Sequence, residues 1–213
     1  RGHTSLRIRA LSLAAAVLTF GLAGTSSATR IEATASTFIG EPLEVLLQVD
    51  DGIDPGKLVL TLEITGPEGT LGDLIGLVAH VNDESLLSGL SATGPYVTDS
   101  MFLANQLGGP GGASPCYCDL RLEFGTPGIL QDDLRSVTFT LSHATQALDV
   151  SFLVGRSFGV DAGSVGIGQD RNQGSRLVGV VPPGRDQADG GGRVAQAPQG
   201  QPAAGTGDIF MSR

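Results

Sequence analysis

Tryptophan is absent from these 213 residues, tyrosine occurs twice and lysine once, at Lys57. A surface so poor in aromatic platforms offers little on which sugars or bases could stack. Basic residues are also few, 13 against 22 acidic ones. Binding a polyphosphate depends on clustered Lys and Arg that displace counterions, so nucleic acid is not expected as a partner. Cysteine is limited to Cys116 and Cys118. Two residues apart on a strand, their alpha carbons would lie roughly 6.5 to 7 Å apart, at the outer limit for an unstrained bridge, which argues against a disulfide between them. A Cys-x-Cys metal site needs two further ligands, and after residue 28 only His80 and His143 could supply them. The two cysteines are therefore read as small buried apolar side chains.

What is present begins with an export segment. Arg1, Arg7 and Arg9 form a basic head, an apolar run of 14 residues follows from Ala10 to Ala23, and Ser26 and Ala28 supply the small pair of a cleavage site. The run is shorter than the ~20 residues a permanent bilayer span requires. Residues 1–28 are thus expected to be a signal peptide and the remainder to be secreted or held at the cell surface, with no permanent membrane span. Removing them leaves 10 basic and 22 acidic residues, a net charge of −12.

From Ile31 to Val181 the dominant period is two. Residues 57–65 place Leu58, Leu60, Leu62 and Ile64 on one face; residues 116–124 do the same with Cys116, Cys118, Leu120, Leu122 and Phe124, and residues 135–143 with Val137, Phe139 and Leu141. Further strands are predicted at 31–38, 43–49, 74–81, 96–103, 148–153, 158–165 and 176–181, with one short helical turn at 83–90. The turn clusters DDGIDPG (50–56), GPEG (66–69), GGPGGASP (108–115) and GTPG (125–128) separate them. Strands at this spacing without intervening helices predict an all-β domain over 29–181. Its expected form is a two-sheet antiparallel β-sandwich, jelly-roll-like or immunoglobulin-like. Residues 182–213, rich in Gly, Pro, Ala and Gln, bury too little apolar surface to offset chain entropy and read as a disordered tail.

The stretches DESLLSGLSATG (83–94), VTDSMFLANQ (97–106), EFGTPGILQDDLRSVTFTLSHATQALDVSFL (123–153) and RNQGSRLVG (171–179) resemble exported bacterial proteins of the PEP-CTERM type, sorted by an exosortase. The resemblance covers about residues 32–181 and implies an extracellular or cell-surface destination. Members often carry an Arg-Glu-Gly-Ser-Ser-like run where this chain has Arg171, Asn172, Gln173, Gly174 and Ser175. Val181, Pro182 and Pro183 begin something similar to the sorting motif, but Gly184 onward has neither the apolar span nor the basic cluster, so that segment is read as missing or altered.

The site-like feature in the residues is the acidic turn Asp50, Asp51 and Asp54, where Gly52 and Gly56 permit the tight backbone of an oxygen-rich Ca²⁺ loop; the alternative is ordinary Asp-Gly turn chemistry. Asp83 with Glu84 and Asp132 with Asp133 are further acidic pairs. The chain has no Gly-x-Ser-x-Gly elbow, and His80 and His143 each close a predicted strand as structural histidines. The glycine cluster 108–112 follows no βα unit and reads as a loop. The expected function is that of a non-catalytic structural or adhesive protein of the extracellular matrix. The alternative is a calcium-stabilised module binding extracellular polysaccharide.

Overall fold

In a computed structural model the chain is described over residues 28–66, 69–108, 116–126, 132–168, 171 and 173–183. Residues 1–27 of the expected signal peptide, the glycine-rich loop 109–115, half of the GTPG turn and the expected tail from residue 184 lie outside the described residues.

Ten strands follow one another: β1 (Arg30–Ile39), β2 (Glu44–Asp50), β3 (Leu58–Ile64), β4 (Thr70–Ala79), β5 (Leu90–Thr93), β6 (Val97–Leu107), β7 (Cys118–Phe124), β8 (Ser136–His143), β9 (Ser157–Ile167) and β10 (Gln173–Val180). All pair antiparallel, in the order β5-β8-β3-β2-β1-β10-β9-β4-β7-β6. The all-β antiparallel expectation is met. The two packed halves are not separately hydrogen-bonded sheets, however, because the β1–β10 ladder joins them into one. The outermost strands, β5 and β6, are consecutive in the chain, and the Val97 N–H donates to the Gly94 carbonyl at 3.3 Å in the turn between them. Both edges of the sheet are thereby drawn together, giving a barrel-like form.

Alternation fixes which face turns inward. Leu58, Leu60, Leu62 and Ile64 of β3, Cys118, Leu120, Leu122 and Phe124 of β7, and Val137, Phe139 and Leu141 of β8 are all buried, as their period of two predicts. Leucines 47, 60, 77 and 122 meet Phe139 and Phe158 in the interior, around a void of about 10 Å³. The rings of Phe124 on β7 and Phe139 on β8 stand 5.6 Å apart, a contact between strands that share no ladder. Such a pair ties the two halves together through the core.

Two local differences from the pattern have identifiable causes. Residues 148–153 are not a strand: the Asp149 carboxylate accepts the Ser151 N–H at 2.8 Å, capping a 3-10 turn at Val150–Phe152 that still buries Val150 and Phe152. β5 is only four residues long, too short for its alternation to be read beforehand. The helical turn expected at 83–90 is present as a 3-10 helix over Glu84–Gly89, capped by Asp83, whose side chain accepts from the Ser85 N–H. Among the described residues no helix is long and apolar enough to cross a membrane.

Candidate functional site

The register between β4 and β7 pairs Ala79 with Leu120 and Val78 with Arg121. Continued by one residue, it brings His80 beside Asp119. The Asp119 carboxylate is 1% exposed and is held from two sides: Oδ2 accepts the Val81 N–H at 2.9 Å and Oδ1 the Asn105 N–H at 2.8 Å. The second bond exists because β6 bulges. Between Phe102, opposite Leu120, and Leu107, opposite Cys118, β6 carries extra residues, and Asn105 absorbs them with φ 52. Asparagine tolerates that left-handed conformation better than most residues, and here it turns its N–H onto the buried carboxylate.

His80 Nδ1 lies 3.4 Å from Asp119 Oδ2, and Nε2 lies 3.9 Å from Cys116 Sγ. A carboxylate beside Nδ1 favours the tautomer protonated there and leaves the Nε2 lone pair facing the sulfur. Cys116 and Cys118 are joined by a disulfide, with alpha carbons 5.2 Å apart. A separation of roughly 6.5 to 7 Å requires an extended strand through both residues. β7 instead starts at Cys118, and Cys116 and Tyr117 precede it in a non-extended path that shortens the separation. His80, Cys116 and Cys118 bring three potential ligand atoms within 4.8 Å of one another, the one such group among the described residues.

Cys116 and His80 border a groove of about 250 Å³ on the outer side of β9. Its floor includes Gly159, where a Cβ would lie 3.1 Å from Val78, and its sides are formed by Phe38, Val78 and Val178. Asp161 and Arg176, 3.3 Å apart, close one end. Burial pushes the Asp161 carboxyl up to about 6, against the opposing pull of Arg176.

The acidic turn is held by hydrogen bonds and one ion pair. Asp50 Oδ1 accepts the Gly52 N–H at 2.8 Å, Asp51 accepts from the Thr29 N–H at 2.6 Å and the Val150 N–H at 3.3 Å, and Asp54 pairs with Lys57 at 2.8 Å. Each carboxylate serves its own protein donor, and the three do not converge within 4.8 Å. Asp83 caps a helical turn, and Glu84 accepts from the Asn105 side chain at 2.8 Å. Asp132 Oδ2 accepts the Thr126 N–H at 2.8 Å, while Asp133 pairs with Arg171 at 2.9 Å. His143 Nδ1 accepts the N–H groups of Thr145 and Gln146, the arrangement of a structural turn.

The sequence offers His80 and His143 alike to the two cysteines and does not say which of them lies near. His80 and Cys116 lie 36 residues apart, and only the β4–β7 register joins them. The period of two puts Asp119 on the face opposite Cys118 and Leu120, and nothing in its neighbours announces that a bulge in another strand buries it.

Compared with known proteins, the chain matches no family model, no curated protein and no solved structure.

Proposed function

We propose that this chain is a non-catalytic, exported structural or adhesive protein of the extracellular matrix that works through its outer surface. The observation that carries this reading is an apolar strip on the exterior. On the outer face of β1 and β10, Phe38, Val178 and Val180 are 59%, 53% and 58% exposed, on two neighbouring strands. Apolar side chains grouped in this way, in an otherwise acidic molecule, mark a surface for association. The export segment and the PEP-CTERM resemblance supply the destination.

The test is fractionation of the native culture into cytoplasm, envelope, matrix and medium. Processed protein is expected in the matrix. A Phe38→Ser, Val178→Ser double variant is expected to pass into the medium with its melting curve unchanged. Unprocessed protein confined to the cytoplasm, or a variant retained as firmly as the wild type, would overturn the reading.

A further inference from the structure

We propose that the Cys116–Cys118 bond is an exchangeable disulfide, presented to external thiols by the groove over β9 and governed by His80 and Asp119. This inference does not rest on the adhesive reading.

The bridge is poorly suited to be a staple. A disulfide stabilises chiefly by closing a long loop of the unfolded chain, and this one links residues only two apart. Its surroundings suit chemistry better. Cys116 borders the groove, whereas Cys118 is 0% exposed, so an approaching thiolate meets the Cys116 sulfur. Attack there releases the sulfur that faces the core. The His80 imidazole, 3.9 Å from Cys116 Sγ, stands next to the sulfur that is freed once the bond has opened. Asp119 fixes the ring, itself held by the backbone of β4's end and of the β6 bulge. The other charged groups near this point are Arg156, which donates to Asn82 at 2.6 Å, and the Asp161–Arg176 pair. Apolar walls from Phe38, Val78 and Val178 leave room for a small thiol compound or an extended segment bearing a cysteine.

The exchange balances as follows. A first external thiol loses its proton and its sulfur bonds to Cys116 Sγ, breaking the internal S–S bond; Cys118 leaves as a thiolate and is protonated. A second external thiol loses its proton and attacks the first external sulfur, forming an external disulfide. Cys116 leaves as a thiolate and is protonated. Two thiols are oxidised, one protein disulfide is reduced, and each protein molecule exchanges once.

The experiment uses the full exported protein. In its oxidised form it is exposed to reduced glutathione or to a short peptide with one cysteine, and the thiols released are counted by alkylation and mass spectrometry. Opening by glutathione identifies a small thiol as the substrate and opening by the peptide a cysteine side chain; resistance to both would overturn the proposal. A Cys118→Ser variant is expected to hold glutathione as a stable mixed disulfide at Cys116. The wild-type protein, reduced in place, needs no substitution. Its reaction with a disulfide probe is expected to be about ten-fold faster at pH 6 than that of His80→Gln. A wild-type rate left unchanged by His80→Gln would overturn it. So would one tightly held equivalent of zinc that must be chelated before either thiol reacts, since the cluster would then be a metal centre.

Discussion

Asp73 accepts the Leu134 N–H at 2.8 Å from a position only 3% exposed, and burial pushes its carboxyl up from 3.8 to about 6, with Asp132 and Asp133 adding to the rise and Arg171 opposing it. The folded form therefore holds this proton more tightly than the unfolded form. The resulting stability is fully present below the unfolded value of 3.8 and is lost as pH rises through about 6. Asp161, raised for the same reason, acts in the same window. Asp73→Asn keeps an acceptor for Leu134 and removes the buried charge. It should raise unfolding free energy by about 2 kcal/mol at pH 8 and by almost nothing at pH 4, as read from urea unfolding at the two pH values. Asp119→Ala should act in the opposite direction. It strands the N–H groups of Val81 and Asn105, at a cost of about 3 kcal/mol by the same measurement.

Between strands, alternation decides the energetics. Phe139 is inside and Phe38 outside, so Phe139→Ala should cost about 3 to 5 kcal/mol in a denaturant titration, while Phe38→Ala should stay within about 0.5 kcal/mol. Asp51 joins the start of β1 to the turn before β9 through Thr29 and Val150, which lie far apart in sequence. Asp51→Ala should therefore lower stability by about 1 to 2 kcal/mol, whether or not calcium is supplied. The strands of this fold were legible because a half-buried strand has to alternate, as Leu58, Leu60 and Leu62 do. Residues 148–153 alternate too, but there the Asp149 cap turned the backbone, and a period of two cannot distinguish that outcome from a strand. The cluster at His80 was hidden for a different reason. Alternation tells which face a residue takes and is silent about which strand lies next to it, and the β6 bulge at Asn105 has no signature in composition.

The whole sheet depends on its terminal strands, since β1 and β10 sit side by side at its centre rather than at its rims. Most pairings join residues distant in sequence, such as β3 with β8 and β4 with β9, so folding is expected in the millisecond-to-second range typical of such topologies, checkable by stopped-flow refolding. A chain ending before Gln173 lacks β10 and leaves two open half-sheets, β5-β8-β3-β2-β1 and β9-β4-β7-β6, each with a bare central edge. Such a truncation should aggregate on refolding where the full chain does not, as light scattering would report. The same arrangement has a bearing on synthesis. A chain made from its N-terminus cannot seal the barrel until residues 173–180 have left the ribosome, so the keystone is the last piece to arrive.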